Sequence, residues 1–159
     1  MKKISFILAA AVLLACNSKH LNGQELTNAR KSVIEKQIDS LFQVSIKAAE
    51  KLDYDKLSLG VDDRYSAGFI ANNIFYPRYD SLVNFAKTRA QGVLGQSINV
   101  QGKKITVISE NLALIAAYGD TKVALSDGRD FELKFYWTFI YNKINKSWKV
   151  IQSHQSSQR

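Results

Sequence analysis

Residues 130–158, DFELKFYWTFIYNKINKSWKVIQSHQSSQ, read as two long strands around a polar turn near Asn145. Asp130 to Tyr141 is dense in aromatic and β-branched residues, which suit a pleated, half-buried surface. Period-two alternation divides the last strand. Trp148, Val150, Gln152, His154 and Ser156 face one way, and Lys149, Ile151, Ser153 and Gln155 the other. With the turn at Asn145, Tyr136 falls opposite His154 and Thr138 opposite Gln152. This register predicts a polar patch of Tyr136, Thr138, Gln152, His154 and Ser156 on one face. The other face carries an aromatic strip of Phe131, Phe135, Trp137, Phe139 and Tyr141. A slip of one residue would exchange the two faces.

Upstream, the period changes. From Glu25 to Leu52, apolar residues recur at three- and four-residue steps (Val33, Ile34, Ile38, Leu41, Phe42, Ala48, Ala49), which predicts one long helix. Asp55 is placed to cap a short second helix that Gly60 stops. Arg64 to Ile70 reads as a short strand, and Asn72-Asn73 as a turn. Tyr79-Asp80-Ser81 offers a cap for a third helix from Ser81 to Val93, ended by Gly92 and Gly95. Ile98/Val100 and Ile105/Val107 then alternate with polar residues, as strands do. Leu112 to Tyr118 is a continuous apolar run, expected of a strand covered on both sides. Gly119-Asp120 and Asp127-Gly128 read as turns, the second a strong hairpin dipeptide. The fold class is therefore α+β: a roll in which one curved antiparallel sheet wraps around helices.

The first residues predict targeting. Lys2 and Lys3 precede an apolar run from Ile4 to Leu14, shorter than the roughly 20 residues a spanning helix needs. It closes on Leu13-Leu14-Ala15-Cys16, which resembles the bacterial lipobox, whose Cys is acylated. The alternative is a secretory signal with an incidental Cys. On the lipobox reading, residues 1–15 are a signal peptide, 16–24 a tether and 25–159 one domain. Asn17 after the Cys then favours the outer membrane, and the location is the cell envelope. Cys16 is the single Cys, so no disulfide forms within one chain.

The chain carries 22 Lys and Arg against 14 Asp and Glu, a formal charge of +8, or +6 without Lys2 and Lys3. The excess is spread through Arg30/Lys31, Lys87/Arg89, Lys103/Lys104 and Lys143/Lys146/Lys149. No basic helix or interleaved aromatic and basic pattern marks a nucleic-acid binder. The plain reading is a solvated basic surface, helped by anionic lipid heads. His20 lies in the tether and His154 stands alone, so no metal site is expected. A Gly-rich phosphate loop and a nucleophile elbow are both lacking, and no cofactor is expected.

The helical first half, the meander, and the pair Tyr136-Trp137-Thr138-Phe139-Ile140-Tyr141 and Trp148-Lys149-Val150-Ile151 with His154-x-Ser156 resemble the nuclear transport factor 2-like superfamily, in its SnoaL-like branch. The resemblance covers roughly Glu25 to Ser157 and implies a cystatin-like cone with a pocket at its wide end. It also implies that the roll is cone-shaped, with the sheet wrapped around the long N-terminal helix, and that the sheet's outer face often packs on a second subunit. The aromatic strip is then either a homodimer interface, the favoured reading, or a core strip beneath a helix. Members include enzymes, binding modules and oligomer hubs, so function must come from the pocket.

The expected function is a lipid-anchored domain that binds a small, partly apolar ligand. Tyr136, Thr138, Gln152, Tyr65 and Tyr118 are its candidate ligand contacts. The alternative is an acid–base enzyme (isomerase, dehydratase or hydrolase) using His154 and Ser156, because an imidazole exchanges protons near neutral pH. The plainer role for His154 is structural. The hairpin also resembles the ι-class carbonic anhydrases, although their run of His is reduced here to Gln152-Ser153-His154. An isomerase with carboxylate base and acidic oxyanion donor would need Asp62, Asp63, Asp120 or Asp130, each read as a turn residue. On balance a binding module is favoured over an enzyme.

Overall fold

A computed structural model describes residues 26–158. The expected signal peptide and tether, with Cys16, lie outside the described residues. Helix α1 spans Asn28–Glu50, with Thr27 accepting a hydrogen bond from the Arg30 N–H at 3.2 Å as its N-cap. Its buried side chains Ile34, Ile38, Phe42 and Ile46 follow the spacing expected of one apolar stripe. Helix α2 is Tyr54–Leu59, capped by Asp53, two residues earlier than expected, and closed by Gly60.

The stretch read as a strand over 64–70 divides. A 3-10 turn occupies Asp63–Tyr65, and strand β1 begins only at Phe69 and runs to Ala71. Strand β2 is Ile74–Tyr76. Asn72 and Asn73 join them with positive φ values of 48° and 69°, the backbone of a tight two-residue hairpin. Helix α3 is Tyr79–Arg89 and starts before the expected Ser81. Its cap is remote: the Asp63 carboxylate accepts from the Tyr79 N–H at 2.7 Å and from the Asp80 N–H at 3.4 Å.

Strands β3 (Val93–Ser109), β4 (Leu112–Leu125), β5 (Asp130–Ile144) and β6 (Ser147–Gln158) form the antiparallel meander. The sheet order is β2-β1-β6-β5-β4-β3, with β1 parallel to β6. Asp127-Gly128 does make the β4–β5 turn, with Gly128 at φ 83°. Gly119-Asp120, expected as a turn, lies inside β4. At Gly119 the bulged β3 comes so close that an added Cβ would sit 1.9 Å from the Asn99 carbonyl oxygen. Glycine is required there by close backbone approach, not by a bend.

One core joins Ile34, Ile38 and Phe42 of α1 to Phe69, Ile115, Ala117, Phe135 and Tyr141 of the sheet. Among the described residues the elements and the core residues fall within 28–158, and this segment carries a core of its own.

Candidate functional site

A bulge decides which side chains meet. Asn145 and Lys146, with φ values of 48° and 67°, make the two-residue β5–β6 turn. Ile144 pairs with Ser147, and Tyr141 with Val150. Then Ile151 is skipped and Ile140 pairs with Gln152. An extra residue reverses the facing of everything beyond it. Trp148 and Val150 therefore share the inner face with Ser153, Gln155 and Ser157, while Gln152, His154 and Ser156 lie on the outer face. The predicted register is corrected by two residues: Thr138 lies opposite His154 and Tyr136 opposite Ser156.

Tyr136, Thr138, Gln152, His154 and Ser156 do share a face, as predicted, but it is the face turned away from α1. One row across the whole sheet reads Phe75, Ile70, His154, Thr138, Ala116 and Lys104. The next holds Ser156, Tyr136, Tyr118 and Gly102. His154 is exposed, and the Ser156 hydroxyl donates to the Tyr136 carbonyl at 3.2 Å. Tyr118 lies over Gly102, its ring 2.4 Å from where a Cβ would stand, and remains 51% exposed. Tyr65 joins none of these: it is exposed beside Arg64, whose guanidinium lies 5.7 Å from its ring centre.

The aromatic strip takes the opposite position from the favoured one. It lies inside, against α1, and is not an outer dimer face. Phe135 and Tyr141 are buried, and Trp137 and Phe139 pack on the core. Phe135 and Trp137 stack at 4.0 Å between ring centres, and Phe139 approaches Phe42 of α1 at 6.0 Å. The physical reason is area: these rings bury far more apolar surface against a helix than the polar patch would.

The inner rows bring together groups that the sequence did not single out as a set. One row runs Tyr76, Phe69, Ser153, Phe139, Ile115 and Ile105; its neighbour runs Ala71, Gln155, Trp137 and Ala117. The Gln155 amide donates to the Ser153 hydroxyl at 3.1 Å. The Tyr76 hydroxyl is buried without a hydrogen-bond partner. Burial pushes the Tyr79 phenol up to about 12, with the Asp63 charge adding to the effect. Burial also raises Tyr141 strongly. Both phenols are therefore neutral donors at physiological pH.

Three of the four carboxylates considered as bases are engaged elsewhere. Asp62 pairs with Arg64 at 2.8 Å, and the guanidinium holds its carboxyl below the usual carboxylate range. Asp63 caps α3, and Asp120 bonds the Gln101 amide on the outer face. Among the described residues no three His, Cys, Asp or Glu side chains gather as a metal site needs. Two open grooves of about 480 Å³ each flank β3, one beside Lys122 and Phe131, the other between Ile46 of α1 and Lys103. Neither reaches His154, Trp137 or Tyr76.

No family model matches the chain, and no curated protein does. Solved structures do. A nuclear transport factor 2-like superfamily protein from Salmonella enterica is 14% identical, with 80% of this chain and 93% of that one covered and a TM-score of 0.71. The hexachlorocyclohexane dehydrochlorinase LinA-type3 from Novosphingobium barchaimii LL02 is 12% identical, covering 84% and 92%, with a TM-score of 0.68. The CaMKII association domain of C. elegans is 13% identical, covering 81% and 99%, with a TM-score of 0.65. At such identities the likeness carries the fold alone: the chain has a nuclear transport factor 2-like fold, and a protein from Caulobacter vibrioides with a cystatin-like fold is among its neighbours.

Proposed function

We propose that this chain is a lipid-anchored binding module that holds a small, partly apolar ligand against the inner face of its sheet. The observation that carries the reading is the contrast between the two faces. The inner face offers the stacked rings of Phe135 and Trp137 on β5 and, three strands away on β2, a buried Tyr76 hydroxyl without a partner, groups suited to an apolar body bearing one acceptor oxygen. The single imidazole among the described residues, His154, lies exposed on the other face, with no carboxylate in its cross-strand row. Acid–base catalysis needs a proton carrier within reach of the bound substrate, and the inner rows hold neutral phenols instead. This argues against the enzyme reading through His154 and Ser156.

Nile red, an apolar dye with a carbonyl acceptor, tests the site. Saturable binding with energy transfer from Trp137 is expected. Tyr76→Phe is expected to weaken it about tenfold, the worth of one hydrogen bond in a desolvated site. Absence of saturable binding, or transfer that survives Trp137→Phe unchanged, would sink the proposal.

The anchor belongs to the same reading. Cys16 takes the lipid, and Cys16→Ser is expected to move the protein from the membrane to the soluble fraction of the envelope. Unchanged membrane retention would refute it. The outer sheet face, where Leu114, Ala116 and Tyr118 leave one side of an apolar strand uncovered, is the surface for a second copy of this chain.

A further inference from the structure

The cations that look dispersed in the sequence converge on one end of the fold. The β3–β4 turn, the β5–β6 turn and the first turns of α1 meet there. Arg30 of α1 pairs with Glu110 of the β3–β4 turn at 2.7 Å. The Lys143 N–H donates to the Asn111 carbonyl at 2.8 Å, and the Trp148 indole N–H donates to Gln37 of α1 at 3.0 Å. Lys143 stands over the Trp148 ring at 5.8 Å. Both Arg30 and Lys143 hold the Glu110 carboxyl below its ordinary range.

This end therefore gathers Arg30, Lys31, Lys143 and Lys146 near the Glu110 carboxylate, while Lys149 turns to the Leu59 carbonyl and to Asp62. The described residues carry 18 Lys and Arg against 13 Asp and Glu, a net +5. Removing the five groups at this end, Glu110 included, leaves 14 against 12, so three of the five net charges sit here. Elsewhere the charges are nearly balanced and often paired, as Lys103 with Asp39, Arg78 with Asp80 and Arg129 with Asp127. The domain is thus an electrical dipole, and the positive N-terminus of α1 points the same way. Ile108, 56% exposed where β3 bulges before the turn, adds an apolar contact to this end.

The position of the polypeptide says what this end faces. The chain enters the fold here, at Leu26 and Thr27, from its first 25 residues. If Cys16 is acylated, as proposed above, nine residues from Asn17 to Glu25 join lipid to domain. Fully extended they reach about 30 Å. The end nearest the bilayer is then the basic end, and its charge complements phosphate headgroups.

We infer that the α1 N-terminal end of the domain, built from Arg30, Lys31, Lys143 and Lys146, docks on an anionic phospholipid surface. The inference rests on the anchor reading only for its orientation, since the charge distribution stands without it. Cations at such a surface each contribute about fivefold to partitioning, and the attraction fades with salt. Docking fixes which way the domain stands on the membrane, with the Asp127-Gly128 end outward.

The test uses the chain from Asn17 onward, which carries its own core and no lipid, so its outcome is separate from that of Cys16→Ser. Sedimentation with vesicles of phosphatidylethanolamine and phosphatidylglycerol in equal parts is compared with phosphatidylcholine vesicles. Binding to the anionic vesicles alone, weakened by salt, is expected. Lys143→Gln with Lys146→Gln is expected to reduce it roughly thirtyfold. Lys122→Gln with Lys134→Gln, away from this end, should leave it within about twofold. Equal partitioning to both vesicles, equal loss from both pairs of substitutions, or no binding at millimolar lipid each overturns the proposal.

Discussion

Thr138 and His154 face each other across the β5–β6 ladder, on the side of the sheet that α1 does not cover. They meet because Ile151 is spare: the bulge there separates inward Val150 from inward Ser153 by three residues instead of two. Ser153 is 1% exposed, whereas its neighbour His154 is open. The fold thus takes a small hydroxyl into its interior and leaves the imidazole outside.

His154→Ala is accordingly expected to change the stability of the isolated domain by no more than about 0.5 kcal/mol, as for an exposed side chain free of special contacts. Urea unfolding read from Trp fluorescence measures it. Nile red binding at the inner face should stay unchanged. A loss above about 2 kcal/mol would assign the ring a structural role.

Much of the fold was legible. The three-and-four spacing of Ile34, Ile38 and Phe42 announced α1, and Asn72-Asn73 and Asp127-Gly128 announced their turns. The hairpin's alternation held as far as Val150. The site was less legible, because no residue type marks the bulge at Ile151: its cause is the coiling of a long sheet, and one spare residue reverses every side chain after it. Gly119 misled for a related reason. In sequence, a glycine that admits a neighbouring backbone looks the same as one that turns the chain. Asp63 was read as a solvated turn carboxylate because its partner, the start of α3, lies 16 residues ahead.

Gly119→Ala should be costly, since the new Cβ meets backbone and not a movable side chain. Overpacking of this kind costs about 1–3 kcal/mol. Gly102→Ala is the companion: its Cβ meets the Tyr118 ring, half exposed and able to swing away. The expected order of thermal midpoints is wild type, then Gly102→Ala, then Gly119→Ala. Equal midpoints for the two variants would contradict the close approach of β3 to β4.

The remote cap gives a second contrast. Asp63→Ala leaves the first N–H groups of α3 without an acceptor and should cost about 1 kcal/mol. Asp80→Ala breaks the exposed pair with Arg78 and the exposed hydrogen bond from the adjacent Ser81 N–H, contacts worth little in solvent, and should cost less. Chemical denaturation of both variants ranks them, and the reverse order would place the cap in Asp80.

The uncovered outer face predicts self-association. Tyr118 and Tyr136 are adjacent across the β4–β5 ladder, each 51% exposed, beside Ala116 and Ile140. Tyr136→Asp places a charge in the middle of this patch, and burying an unpaired charge is strongly unfavourable. Sedimentation equilibrium is expected to show a dimer for the native chain and a monomer for the variant. A native monomer at high micromolar concentration would remove the homodimer from the reading.

The buried phenols set the alkaline limit of the fold. An unfolded Tyr loses its proton near pH 10, and Tyr79 in the folded chain holds it to about 12. Below pH 10 both states keep the proton and stability is intact. Between these values the unfolded chain binds fewer protons than the folded one, so stability falls as pH rises. A difference of about two pH units corresponds to roughly 3 kcal/mol for one phenol, and Tyr141, raised in the same direction, steepens the fall. Urea midpoints measured across this window, with tyrosinate absorbance as the second probe, should decline together with the appearance of phenolate. Tyr79→Phe should flatten the decline while leaving the neutral-pH midpoint nearly in place, since the hydroxyl is what titrates and the ring is what packs on Phe69. A native chain whose stability is level through the same window would mean that Tyr79 is open to solvent, and the inner face with it.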